Sequence, residues 1–341
     1  MFAALKSSTY CFFEFGDQIR WRFSDEKNHI GEMCVIEALM RKLITTKNVL
    51  FKIKIRKLSR QREIDATDIG KNFLQMLNVN KNKIKKSFPI HEFNPDIELF
   101  FSATSNYQEL FPKWKGPWLP SQIDLFINSL NSSVNSIRKE GNSKEFKYKR
   151  ENFSRLPNKN FRGLNSRIDY LFEKYKKFLV IRIDFGYLKG ENFLTLKPAE
   201  INFNDVRKHR LMLGRYINEK LPTKSIVGFA WKLQYSLNIS YQYSYILFSR
   251  LDIDGGGDSE LITNLIGSYW DRVITNGRGL HYSGEKFGAG YKKFGTGIAD
   301  CTDSLTRKEL NKAAFYLTKQ DEYIKLLVSE NGRSFQNGQF H

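Results

Sequence analysis

The stretch Phe229–Arg250, FAWKLQYSLNISYQYSYILFSR, decides the fold. Apolar and polar residues alternate over Val227–Tyr235, around Trp231, Leu233 and Tyr235. Ser236–Ser240 supplies Asn and Ser for a short turn, and Tyr241–Phe248 is dense in aromatic and branched residues. Runs of this composition favour a pleated, half-buried surface, so the segment predicts two antiparallel strands. Side chains alternate between the faces of a strand, and the pairing therefore brings Gln234 near Gln242 and Ser244.

Outward from the hairpin the chain alternates regularly. Ile168–Lys177 predicts a helix and Phe178–Phe185 (FLVIRIDF) a buried strand carrying Arg182 and Asp184. Asn204–Lys220 is amphipathic, with Asn202 or Asn204 as candidate cap. A Gly-rich turn at Asp254–Asp258 precedes a helix over Ser259–Val273, and short strands are expected through Gly279–Tyr282 and Phe294–Ile298. Leu305–Val328 reads as one long helix opening after Asp303, and the final thirteen residues read as a tail. The order predicts an α+β fold, an antiparallel sheet with helices on its faces.

Residues 1–150 read as a basic accessory region of mixed, partly helical character. Glu32–Asn48 has helical apolar spacing, and Leu50–Arg62 (LFKIKIRKLSRQR) alternates apolar with basic residues like a strand with a charged outer face. Phe111–Pro120 (FPKWKGPWLP) has the prolines of a rigid connector. Asn131–Lys149, rich in Ser, Asn and Lys, marks the expected boundary before a domain over 151–336, with 337–341 beyond it.

The 341 residues carry 55 Lys+Arg against 36 Asp+Glu, a formal charge of +19. A field of that sign points to a polyanionic partner, nucleic acid above all, with a solvated basic surface as the plain alternative. Three scattered cysteines, Cys11, Cys34 and Cys301, build neither a disulfide framework nor a metal pair, which fits a reducing cytoplasm. The apolar runs fall short of a membrane span, and the amino terminus does not build a secretory signal.

Tyr316 and Lys319, three residues apart, share a helical face, with Tyr323 two turns on from Tyr316. A tyrosine beside an ammonium can act as a nucleophile on phosphate, although an aromatic next to an Ala-Ala pair more often serves as helix packing. Asp252, Asp254 and Asp258 have the look of a calcium loop but the wrong residues at its key positions, so a hairpin turn is expected there. Arg272, Arg278, Lys292 and Lys293 are candidates for phosphate contacts, with Tyr282 and Tyr291 for base stacking. Lys52, Lys54 and Arg56 offer a second basic surface.

The stretches VGFAWKLQY, YQYSYILF, LITNLIGSYWDRVITNGRGLHY, FGTGIAD and FYLTKQDEYIKL followed by NGRSF resemble the YagK/YfjJ C-terminal domain family of prophage proteins. That family overlaps the inovirus replication-initiation proteins. With FLVIRIDFGY the likeness spans Phe178 to Phe335. It implies a distant kinship with the histidine-pair (HUH) rolling-circle initiators, whose RRM-related central sheet holds a divalent metal while a tyrosine attacks a DNA phosphate. By that resemblance Tyr316 takes the nucleophile's place and Lys319 the supporting cation's. The histidine pair falls on Gln242 and Ser244, and an acidic position falls on Gln234. Carboxamide and hydroxyl are poor ligands for Zn, Mn or Mg. The expectation is a DNA-binding protein of a mobile element with a degenerate metal site, acting on single-stranded or hairpin DNA without a cofactor. The alternatives are an active nicking enzyme using Mn or Mg, with Asp184 or His281 in an atypical shell, and a toxin-like or protein-interaction module.

Overall fold

The computed structural model describes residues 10–15, 18–23, 25–56, 62–105, 120–188, 201–237, 240–283, 296–329 and 332–339. Strands β1 (Tyr10–Phe15) and β2 (Gln18–Phe23) form an antiparallel ribbon ahead of helix α1 (Asp25–Thr45). Strands β3 (Phe51–Ile55) and β4 (Arg62–Ala66) pair next. Helices α2 (Asp68–Met76) and α3 (Lys81–Ser87) follow, capped by the side chains of Thr67 and Asn80. Strand β5 (His91–Phe93) leads into α4 (Pro95–Ala103), then α5 (Pro120–Gly141) and the long α6 (Lys144–Tyr175).

The sequence from residue 177 builds the main sheet. It contains β6 (Lys177–Tyr187), β7 (Ile226–Ser236), β8 (Ser240–Arg250), β9 (Gly279–Ser283), β10 (Gly297–Asp300) and, at the far edge, β12 (Phe335–Gly338). The order is β10-β6-β8-β7-β12, with β9 sharing the outer edge of β6 beside β10. Helix α7 (Phe203–Arg215) joins β6 to β7, α8 (Ser259–Tyr269) joins β8 to β9, and α9 (Ser304–Lys319) follows β10. The protein is thus α+β with antiparallel sheets, as the alternation predicts.

Period-2 alternation divides the sheet's side chains into two unlike faces. One carries Ile181, Ile183, Phe185, Trp231, Leu233, Tyr241, Tyr243, Tyr245 and Leu247, and is covered by Val206 and Leu213 of α7 and Ile262 and Ile266 of α8. The opposite face carries Phe178, Val180, Ala230, Ile246 and Phe248 beneath Leu164, Ile168 and Leu171 of α6 and Leu310, Ala314 and Leu317 of α9. A third apolar core gathers α1 through α5.

Of the two candidate caps for α7, the structure uses Asn202, and the last helix begins after Asp303 as expected. Asn202 and Asp205 form a capping box on α7, and the Asp303 side chain caps α9. Four expectations are corrected. The expected boundary at Asn131–Lys149 is helical, because its polar residues are the outer faces of α5 and α6 while Val134, Ile137 and Phe146 are buried. Residue 150 falls inside α6. The terminal helix stops at Lys319, passes through a 3-10 turn at Gln320–Glu322 and becomes strand β11 (Ile324–Leu326), paired with β5. The expected tail contributes β12, whose residues 335–338 pair with β7. The Asp252–Asp258 segment is no hairpin but the link from β8 to α8. Its Gly256 is required there, since a Cβ would lie 2.0 Å from the Arg250 carbonyl oxygen, and its Asp258 caps α8. Of the proline-rich connector, residues 111–119 lie outside the described residues.

Candidate functional site

The register of β7 and β8 sets Gln234 opposite Gln242 and Lys232 opposite Ser244, and that of β6 and β8 sets Asp184 opposite Ser244. Residues directly across an antiparallel pair share a face. The three positions singled out in the sequence therefore do meet, on the face that also carries Ala230 and Ile246. That face has an apolar half, under α6 and α9, and a polar half. In the polar half a row crosses the sheet from Tyr282 through Asp184 and Ser244 to Lys232. The terminal helix lies on this same face.

Lys232 is the residue that sequence reasoning missed. Its side chain is buried, and its Nζ donates to both carboxylate oxygens of Asp321 at 2.6 and 2.5 Å. An ammonium excluded from water is tolerable only with such a partner. Asp321 comes from the 3-10 turn that ends α9, and the neighbouring Gln320 accepts a hydrogen bond from the Gln234 amide. The turn is held from its other side as well. The Asn94 side chain donates to the Glu322 carbonyl at 2.7 Å, and the Asn94 amide donates to the Tyr323 carbonyl at 2.9 Å. A signal was available. Lys232 alternates in step with Ala230 and Gln234, which puts a charge on a face that a helix must cover and demands a carboxylate from elsewhere in the chain.

Lys319 bonds Asn158 of α6 at 2.5 Å and also bonds Glu322, with its ammonium 5.6 Å from the centre of the Phe161 ring. Tyr316 is half-buried. Burial raises its pKa, the Lys312 charge lowers it, and Glu309 raises it further, so the balance disfavours a phenolate. Tyr323, expected on the same helix face, instead lies buried in the amino-terminal core beside Cys34.

His281 stands opposite Phe185 in the register and so faces the aromatic side of the sheet, away from Asp184 and Ser244. Its Nδ1 lies 2.7 Å from Asp271, and its ring packs so tightly on α8 that a Cβ at Gly267 would approach it to 2.2 Å. Asp184 and His281 therefore point to opposite sides and cannot share one ion. His91 of β5 is a different matter. Burial, and then the charge of Lys232, push its pKa down to about 4.

The fit to a divalent metal is poor. Gln234 is engaged with Gln320, and Lys232, its ammonium paired with Asp321, stands directly across from Ser244. Two cations in one low-dielectric pocket repel strongly. Among the described residues no three of His, Cys, Asp and Glu come together as a ligand group.

The nucleic-acid candidates are dispersed. Arg272 is exposed on the π-helical turn Trp270–Ile274 after α8, Arg278 bonds the Thr275 carbonyl at 3.3 Å, and Tyr282 is half-buried on β9. Lys52, Lys54 and Arg56 belong to the separate β3–β4 pair. There Asp65 and Glu63 stand opposite the two lysines, and Arg56 bonds Glu63 at 2.8 Å. Tyr291, Lys292 and Lys293 lie outside the described residues. Among the described residues no helix is long and apolar enough to cross a membrane. Set against models of known families, curated proteins and solved structures, the chain matches none of them.

Proposed function

We propose that the chain is a DNA-binding protein of a mobile element or prophage, built on the plan of a rolling-circle replication initiator whose ion site is degenerate. The observation that carries this reading is the Lys232–Asp321 pair. It sits on the face where the initiator resemblance expects the metal, beside Gln234 and Ser244, and is supplied by the turn that ends the tyrosine-bearing helix. The pair supports loss of metal chemistry, because an internal cation neutralises the carboxylate that a metal would need. The charge of +19 supports retention of a polyanionic partner, since phosphate affinity comes mainly from Lys and Arg.

The test is fluorescence anisotropy with labelled single-stranded and hairpin DNA across a salt series, paired with a denaturing gel after incubation with Mn. Salt-sensitive binding without a covalent adduct is the expected result. Absence of binding at low salt would sink the reading. A second reading, strand nicking by Tyr316, draws support from Asp184, a buried carboxylate directly opposite Ser244. Its mark would be an adduct lost on Tyr316→Phe, with the tyrosine oxygen joined to phosphorus and a strand hydroxyl released.

A further inference from the structure

Helix α6 is 32 residues long and buries one side against the sheet and the amino-terminal core through Phe146, Phe153, Leu164, Ile168 and Leu171. On its outward side Lys144, Tyr148, Arg155, Lys159, Arg162 and Tyr170 are exposed. Their spacings of 4, 7, 4, 3 and 8 residues are whole numbers of helical turns to within a fraction, so they form one stripe. From Lys144 to Tyr170 that stripe runs about 39 Å at 1.5 Å per residue.

Its four cations are unpaired. Lys144, Arg155, Lys159 and Arg162 make no ion pair with a described residue, and Arg162 donates only to the Asn158 carbonyl of its own helix. Of the helix's acids, Asp169 is held by Arg307 of α9. Glu145 lies about 60° around the helix from Tyr148, Glu151 sits at the stripe's edge one turn before Arg155 without forming an ion pair with a described residue, and Glu173 lies past the stripe's carboxyl-terminal end. Tyr148 is 68% exposed, a large aromatic surface left in water. The contrast with β3 is direct, because there every basic side chain faces an acid across the strand pair.

We infer that this outward stripe of α6 is the principal nucleic-acid surface, gripping the phosphate backbone through its four cations and stacking Tyr148 on a base at one end, while Tyr170 at the other end carries Arg167 and Lys174 against its ring at 5.5 and 5.8 Å. A linear array of unpaired cations with aromatic ends matches the charge and the π-faces of an unpaired strand. The inference rests on the proposal that the chain binds DNA, and names the face that does so.

The test replaces Lys144, Arg155, Lys159 and Arg162 together by Gln in the full chain. All four are exposed, so circular dichroism and the melting temperature should stay near wild type. With labelled single-stranded DNA, the slope of log affinity against log salt should fall by about 3, from four contacts at roughly 0.7 each. Lys52→Gln with Lys54→Gln and Arg56→Gln serves as the comparison and should leave the slope within about one unit. Unchanged affinity and slope in the α6 variant, while wild type binds DNA, overturns the inference alone. Loss confined to the β3 variant does the same, as does competition by poly-glutamate equal to that by DNA, which would mark an acidic protein partner. Failure of the wild-type protein to bind DNA overturns both the inference and the reading beneath it.

Discussion

The two faces of the main sheet use the same three central strands in opposite ways. One is a continuous aromatic layer in which Trp231, Tyr243, Tyr245 and Phe185 meet edge to face at 5.4–6.0 Å and Trp270 lies tilted on Phe185 at 5.1 Å. Its polar tips are absorbed locally, the Tyr187 hydroxyl lying 3.0 Å from His209 and the Tyr243 hydroxyl donating to the Val206 carbonyl at 3.3 Å. The other face is apolar under the helices and polar beyond them; Asp184 pairs with Arg182 of its own strand at 3.5 Å, while Lys232 and Gln234 are matched by residues that arrive from the end of α9. The aromatic face is held by area and packing, whereas the polar half is held by matched partners. Substitutions should therefore fail differently on the two sides.

The largest effects come from Asp321→Ala and Trp231→Ala. Removing Asp321 strands the buried Lys232 ammonium and should cost about 3–5 kcal/mol in urea unfolding. Trp231→Ala should cost a similar ~3–5 kcal/mol through the cavity it leaves. The difference is rescue. Lys232→Met combined with Asp321→Leu should recover most of the first loss, because an apolar pair of similar volume avoids the desolvation of both charges. No second substitution beside Trp231 has that property. If the double variant is no better than Asp321→Ala, the distinction between the faces fails.

A smaller effect concerns acid. His91 is neutral in the folded protein, with its pKa pushed down to about 4 by burial and then by Lys232. Unfolded, the same imidazole binds a proton near pH 6.5, so in the window between these values the unfolded state holds more protons. Stability should be full above pH 6.5 and fall as pH drops toward 4, by a few kcal/mol at most. His91→Asn should flatten that part of the profile, and an unchanged slope would show that other groups set it.

Gln234→Leu should cost roughly 1–2 kcal/mol by leaving the Gln320 amide oxygen without its donor. Smallest of all, Tyr316→Phe on the half-buried side of α9 should change stability by less than about 0.5 kcal/mol, the usual range away from buried networks. A larger loss would mean that the hydroxyl is structural.

The hairpin was legible because strict alternation and a polar turn leave one register that buries the aromatic set. The caps at Asn202 and Asp303 were legible because the capping side chain lies within a turn of the backbone it serves. What escaped was long-range. Asn131–Lys149 looked like a linker because helix exteriors share the composition of linkers, and only burial of Val134, Ile137 and Phe146 tells them apart. The overlong terminal helix arose because Tyr316 and Tyr323 fit a helical interval, while the β5–β11 pairing that breaks it joins residues more than two hundred positions apart. Gln234, Gln242 and Ser244 were placed together correctly by period, but Lys232 among them was given no role. Its partner Asp321 lies in the turn that the long-helix reading erased.

Tyr323 and Ile324 belong to the amino-terminal core, and β11 is the partner of β5. During synthesis, that first core must wait with a gap in it until a segment more than two hundred residues further along the chain than β5 has emerged. Until then its apolar rim stays open to solvent, and a premature stop anywhere before residue 323 would leave unfinished a core whose other residues had already been made.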